Sequence, residues 1–96
     1  MLVLVTYDVN TENSQGKRRL RMVSRICVRK GRRVQNSVFE CYLDNAEYHQ
    51  LKNDLAQIID SNHDSLRFYN LGNKYQNKVE TLGRDRGYDP EDVLMV

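Results

Sequence analysis

Residues 1–10 read MLVLVTYDVN, and this stretch predicts the central strand of the fold. From Leu2 to Val9 valine and leucine predominate, and apolar residues fall on both alternating sides, which is typical of a strand that is buried on both faces. The strand ends in a carboxylate, Asp8, which polar residues soon follow. An acid at this position is either a cap or turn residue, or a functional group that a rigid element delivers to a site. The rest of the sequence has to decide between the two.

The length of the chain, 96 residues, allows a single domain spanning residues 1–96. We expect its core in residues 1–83, and a C-terminal tail with an added strand in residues 84–96. The apolar run at the start has no basic region before it, and it is too short for a signal peptide or a membrane span. The sequence therefore predicts a cytoplasmic protein that does not associate with a membrane.

The cysteines and histidines do not indicate a metal site. Cys27 and Cys41 are isolated and lack the spacing of metal ligands, so we interpret both as small core residues. His49 and His63 stand among polar residues, in a predicted helix and a predicted loop, and we expect both on the surface.

The formal net charge of +2 conceals a strong local asymmetry. No acid occurs between Asn13 and Phe39, whereas more than half of the fifteen basic residues fall in that window. They are Lys17, Arg18, Arg19, Arg21, Arg25, Arg29, Lys30, Arg32 and Arg33. Such a cluster is typical of a surface that binds phosphate groups. The alternative is an ordinary solvated helix face, although the lack of acids weighs against it.

The period of the sequence becomes helical from Gln15 to about Arg29, after Asn13 or Ser14 as N-cap. Two groups of side chains separate on this helix. The apolar group is Leu20, Met22, Val23, Ile26 and Cys27, and the basic group is Lys17, Arg18, Arg21, Arg25 and Arg29. Arg19 falls on the apolar side near the helix start. Its long side chain is expected to reach past the helix end towards the end of the first strand.

Further elements follow the basic helix. A second strand is predicted over residues 33–43 (RVQNSVFECYL), and Asp44 with Glu47 forms the capping box of a second helix. Strands at residues 66–71 and 78–82 complete a hairpin. We interpret the chain as an α+β, ferredoxin-like fold of order βαββαβ, with an antiparallel sheet and both helices on one face.

The strands carry apolar or aromatic groups on both sides, as Leu4 beside Val5 and Val38 beside Phe39 illustrate. Because the helices cover one face of the sheet only, the other face needs a cover as well. A two-fold homodimer provides it, since one patch serves twice. Residues 93–96 are expected to form the extra C-terminal strand, either on the same chain or on the sheet edge of the partner.

Three stretches carry a family likeness: LVTYDV (residues 4–9), the basic first helix, and RVQNSVFE (residues 33–40). Together they resemble the small adaptation nuclease of CRISPR systems, the second of the two core CRISPR-associated proteins and the partner of the CRISPR integrase. The resemblance covers the whole chain. RVQNSVFECYL (residues 33–43) and LRFYNLGNKY (residues 66–75) are similar to the subtype I-C branch of that family.

The resemblance implies a ferredoxin-like homodimer that bridges integrase dimers, binds duplex DNA and, in many members, hydrolyses RNA or double-stranded DNA with a divalent metal. It assigns the catalytic and metal-binding carboxylate to Asp8, and the serine and aromatic residue of the second motif to Ser37 and Phe39. Phe39 is expected to pack rather than to stack on a base. The resemblance assigns nucleic-acid binding to Lys17, Arg18, Arg19 and Arg33. We add Arg21 and Arg25, which extend the basic face of the same helix.

Phosphodiester hydrolysis needs an activated water and neutralised phosphoryl oxygens, and a metal supplies both. Magnesium often takes only one or two protein carboxylates, so a dimer axis that joins two copies of Asp8 would suffice. We therefore expect Mg²⁺, or Mn²⁺, at Asp8, and Arg19 and Arg33 on flanking phosphates. Glu12 is either a second acid or a solvent-facing loop residue. The alternative function is a non-catalytic DNA-binding scaffold in the integration complex, and the choice between RNA and DNA stays open.

Overall fold

The computed structural model describes residues 1–83. Four strands and two helices follow in the order βαββαβ, which confirms the predicted α+β class. The elements are β1 (Leu2–Asp8), α1 (Ser14–Cys27), β2 (Gly31–Gln35), β3 (Val38–Tyr42), α2 (Asn45–Ala56) and β4 (Ser65–Asn70). The tail predicted for residues 84–96, including the added strand at residues 93–96, lies outside the described residues.

The four strands form one antiparallel sheet in the order β2-β3-β1-β4, with β1 between two neighbours. β1 is therefore the interior strand that its apolar sequence predicts. Its side chains alternate: Val3, Val5 and Tyr7 join the core, whereas Leu4 lies between Glu40 of β3 and Tyr69 of β4 on the other side. We call this other side, away from the helices, the open face of the sheet.

Both helices pack on the face opposite to the open face. Leu20 and Val23 of α1, with Leu51 and Leu55 of α2, form the core together with the inward residues of the sheet. Phe39 is fully buried in it, so it packs as expected. Cys27 and Cys41 are also buried, and neither is in a disulfide, as their interpretation as core residues predicts.

The hairpin β2–β3 corrects the prediction of one continuous strand over residues 33–43. Asn36 and Ser37 form a two-residue turn, and Gln35 pairs with Val38 across it. Asn and Ser are common turn residues because their side chains can replace backbone hydrogen bonds locally. The apolar residues on both sides of this turn made the hairpin look like one strand.

The predicted strand at residues 78–82 does not form. Lys78 instead closes a turn, in which its amide donates to the carbonyl of Tyr75 and its Nζ donates to the carbonyl of Leu71. Leu82 is almost fully exposed and no strand covers residues 78–82. The hairpin within the order βαββαβ is therefore β2–β3, and the hairpin predicted from residues 66–71 and 78–82 does not form.

Both helix starts agree with their sequence signals. Asn13 Oδ1 accepts from the amide of Gly16 at 2.7 Å, and the capping box of Asp44 and Glu47 is complete, with hydrogen bonds of 2.7 and 3.1 Å. The helix α1 ends at Cys27, two residues earlier than predicted. In the part of the chain that the structure describes, no helix has the length and apolar character needed to cross a membrane.

Candidate functional site

Asp8 is the last residue of β1, and its side chain is exposed. It points to the open face, because Tyr7 before it belongs to the core. Across the sheet it pairs with Ser65, the first residue of β4. A rigid, hydrogen-bonded strand end thus presents the carboxylate to solvent.

Asp8 lines an open depression of about 400 Å³. The end of β1, the β2–β3 turn with the start of β3, and the outward side of β4 form its walls. The lining residues are Thr6, Tyr7, Asp8, Val9, Ser37, Val38, Ser65, Arg67 and Tyr69. Ser37, which was predicted as a motif residue, therefore lies in the same depression as Asp8.

The donors in this depression suit a hard divalent cation. Asp8 offers a carboxylate, and Thr6, Ser37 and Ser65 offer hydroxyl groups; oxygen ligands of this kind fit Mg²⁺ or Mn²⁺. Within residues 1–83, no three His, Cys, Asp or Glu side chains gather as a ready-made metal cluster. Magnesium keeps several of its water ligands in proteins, so one carboxylate per chain is compatible with binding.

A buried hydrogen-bond network lies beneath the end of β1, on the helix side. The carboxylate of Asp64 has no exposed surface, and it accepts hydrogen bonds from the Tyr7 hydroxyl, from Arg19 Nε at 2.8 Å and Nη2 at 3.2 Å, and from the Asp60 amide at 2.9 Å. We call Tyr7, Arg19 and Asp64 the Asp64 network. Arg19 does reach past the start of α1 to the end of β1, but its guanidinium is bound by Asp64.

The pKa values of this network follow from its enclosure and its hydrogen bonds. Burial raises the pKa of Asp64, but the hydrogen bonds from Arg19, Tyr7 and the Asp60 amide outweigh it and leave the pKa below its usual value. Burial and the bond to Asp64 raise the pKa of Tyr7. Asp64 is therefore a charged acceptor and Tyr7 a neutral donor at neutral pH.

Arg33 is buried beside the β2–β3 turn. Its Nε donates to the carbonyl of Asn36 at 2.8 Å, and its guanidinium lies 5.5 Å from the centre of the Phe39 ring. Arg33 therefore braces the turn that carries Ser37. The predicted contacts of Arg19 and Arg33 with phosphate stay predictions, and in this structure both side chains have protein partners.

The remaining predicted basic residues share one exposed surface of α1. This surface, which we call the α1 basic stripe, consists of Lys17, Arg18, Arg21 and Arg25. It lies opposite Leu20, Val23 and Cys27, which face the core. No ion pair within the described residues involves the stripe, so its charge faces solvent. Glu12 is exposed in the loop before α1 and does not line the depression.

Sequence reasoning missed the contribution of β4 to the depression. Ser65, Arg67 and Tyr69 alternate along SLRFYN, and this alternation indicates that they share one face. The pairing of β4 with β1 is what brings them beside Asp8, because Thr6 pairs with Arg67 and Asp8 with Ser65. That pairing joins residues far apart in the chain, and no local pattern specifies it.

Comparison with known proteins gives a consistent assignment. The profile of the family "CRISPR associated protein Cas2" matches residues 1–79. A CRISPR-associated endonuclease Cas2 of Halalkalibacterium halodurans is 50% identical over 95 residues, covering 99% of each chain. A CRISPR-associated endoribonuclease Cas2 of Nitratidesulfovibrio vulgaris is 48% identical over 96 residues, covering 100% of this chain and 94% of the relative.

Solved structures agree with these relatives. The crystal structure of Streptococcus pyogenes Cas2 superposes with a TM-score of 0.80 at 59% identity, covering 86% of this chain and 100% of that one. A hypothetical protein of Thermus thermophilus has a TM-score of 0.70 at 32% identity, covering 93% of this chain and 95% of that one. The subtype I-C assignment stays a prediction. Family profile, relatives and fold together show that the chain belongs to the Cas2 family of CRISPR-associated proteins.

Proposed function

We propose that this protein is a divalent-metal-dependent endonuclease that hydrolyses phosphodiester bonds of RNA or double-stranded DNA and acts in CRISPR spacer acquisition. Relatives 47–50% identical to it are named endonuclease or endoribonuclease. The observation that carries the proposal is the position of Asp8, an exposed carboxylate at a strand end in a depression lined with hydroxyl groups.

Asp8, with Thr6, Ser37 and Ser65 around it, would hold Mg²⁺ or Mn²⁺. Such a metal, when bound, activates water and neutralises charge on the phosphoryl oxygens. The chain itself fixes the end of β1 through pairing with β3 as far as Thr6 and with β4 as far as Asp8. The Tyr7 amide donates to the Ser37 carbonyl at 2.9 Å, which couples the β2–β3 turn to the same strand end.

A homodimer is part of this proposal. The open face carries the aromatic ring of Tyr42, which is 47% exposed, and the apolar side chains of Leu4 and Val38. A second copy that covers this face would bring two Asp8 carboxylates towards a common axis. The CRISPR integrase is the proposed partner of the assembled dimer.

The α1 basic stripe supports a second candidate, a non-catalytic scaffold that holds duplex DNA within the integration complex. Four exposed cations on one helix face suit a phosphate backbone without reading base edges. For a scaffold of this kind Asp8 has only a structural role. Both candidates use the dimer and the stripe, so only a test of Asp8 separates them.

The decisive experiment compares wild-type protein with Asp8→Asn, Glu12→Gln and Glu80→Gln on labelled duplex DNA and RNA, with and without Mg²⁺ or Mn²⁺. Glu12 tests the possible second acid, and Glu80 is an exposed acid away from the depression. We expect metal-dependent cleavage that Asp8→Asn lowers by about 100-fold or more while Glu80→Gln leaves it unchanged. No cleavage by any of these proteins, wild type included, would favour the scaffold, whereas cleavage by Asp8→Asn equal to that of wild type would exclude Asp8 as the catalytic carboxylate.

A further inference from the structure

Among the described residues that line the Asp8 depression, Arg67 is the one arginine. It is exposed on β4, and strand pairing places it directly across from Thr6. Asp8 is two residues further along β1 on the same face. Residues in this diagonal relation lie roughly 7–8 Å apart, which the long side chain of arginine spans easily.

The donors of Arg67 are almost unused. Its only hydrogen bond within residues 1–83 runs from Nη1 to the Tyr69 hydroxyl at 3.5 Å, at the limit of a hydrogen bond, and no ion pair to it is found there. By contrast, Arg19 binds Asp64, and Arg33 is buried against Asn36 and Phe39. An exposed guanidinium with free donors can engage an anion without breaking an interaction that the fold needs.

The chemistry of the depression specifies that anion. A carboxylate that attracts a divalent cation stands on one side and a guanidinium on the other, with hydroxyl groups between them. A phosphodiester fits both sides, since its oxygens can share a cation with Asp8 and accept the planar fork of the guanidinium. Tyr69 lies two residues further along β4 on the same face, where its hydroxyl can hold the Arg67 guanidinium in position.

We infer that Arg67 binds the same phosphodiester of the nucleic-acid substrate that is held at Asp8, with Tyr69 as its positioning residue. This inference rests on the proposed nuclease function. It assigns to β4 the phosphate contact that the sequence assigned to Arg19 and Arg33. Arg67 contacts substrate directly, whereas the Asp64 network acts only through the fold.

Binding is measured in the non-cleaving Asp8→Asn protein, by fluorescence anisotropy of a labelled single-stranded RNA and a DNA duplex at several salt concentrations. Arg67→Gln is compared with Arg67→Lys and with Lys74→Gln. Lys74 is a suitable control because it is exposed and follows β4 beyond Asn70, which pairs with Val3 at the opposite end of β1 from Asp8.

Arg67→Gln is expected to weaken binding to at least one of the two ligands. The slope of log affinity against log salt should fall by about 0.7 for the single strand or 0.9 for the duplex for each phosphate that the protein no longer neutralises. Arg67→Lys should keep most of the slope because it keeps the charge. With Asp8 intact, Arg67→Gln should lower cleavage by about 10- to 100-fold, and Arg67→Lys should restore part of it.

An unchanged slope for Arg67→Gln, or a reduction no larger than that of Lys74→Gln, would overturn the inference. So would sedimentation that shows Arg67→Gln to dissociate a wild-type dimer, because Arg67 would then serve assembly. Failure of the nuclease proposal looks different: no variant cleaves with any metal, while the salt slopes in the Asp8→Asn protein still report whether Arg67 contacts phosphate.

Discussion

The Asp64 carboxylate lies enclosed beneath the strand end that carries Asp8, and three neighbours donate hydrogen bonds to it. Its position explains why Tyr7 and Arg19 occur where they do. The side chain of Tyr7 points to the core and that of Asp8 points to the open face, so the Asp64 network holds the end of β1 from the helix side. The α1 start, the β1 end and the loop before β4 are thereby joined at one acid.

The loss of folding stability at acidic pH should depend on Asp64. Because its pKa is lower in the folded than in the unfolded chain, its contribution is fully present above about pH 4 and is lost as the pH falls through the lowered pKa. Asp64→Asn should lower the melting temperature at pH 7 by roughly 5–10 °C and reduce the further loss of stability below pH 4. Thermal melts from pH 2 to 7 measure this. Asp54→Asn, on the surface of α2, is the control. Identical dependence of the melting temperature on pH for Asp54→Asn and Asp64→Asn would show that the Asp64 network does not stabilise the fold.

At the scale of elements, α1 has two chemically different sides, a core side and the α1 basic stripe. Replacing Arg18, Arg21 and Arg25 by Gln should weaken duplex DNA binding for all sequences alike and reduce its salt dependence, by about 0.9 in slope for each phosphate left without a cation. Titrations at several salt concentrations measure both effects. A triple variant on α2 serves as control, with the substitutions Ala46→Glu, His49→Glu and Asn53→Glu. It changes the net charge by the same amount as the triple arginine variant. If it weakens binding as much, general charge rather than the stripe is responsible.

The elements also show what local patterns can and cannot predict. The helical period separated Leu20 and Val23 from the basic stripe correctly, because a helix repeats within a few residues. The prediction of one strand in place of the hairpin β2–β3 was wrong, since its turn contains neither Gly nor Pro and apolar residues flank it. The place of Asp8 at a strand end was predictable, but its neighbour Arg67 depends on pairing between distant strands.

For the whole molecule, the open face is the surface on which assembly depends. Leu4→Lys puts a charge at the middle of this face and should convert the proposed dimer to a monomer at micromolar concentration, because an unpaired buried charge is costly at an apolar interface. Sedimentation velocity measures the change. Met22→Lys is the matched control, since Met22 is 37% exposed but lies on α1, away from the open face. A wild-type monomer, or dissociation by Met22→Lys alone, would contradict this model of assembly.

The two cysteines of the chain are both enclosed in the core, where Cys41 Sγ donates to the Cys27 carbonyl at 3.6 Å. Thiol reagents therefore have no site on the folded surface, and their reaction rate with the wild-type chain reports only how often the core opens. A cysteine introduced at an exposed position would then be the single labelling point for a fluorophore. The reaction rate of the native thiols thus measures how often the core opens. Distances from an introduced, labelled cysteine to bound DNA can be measured without first removing the native cysteines.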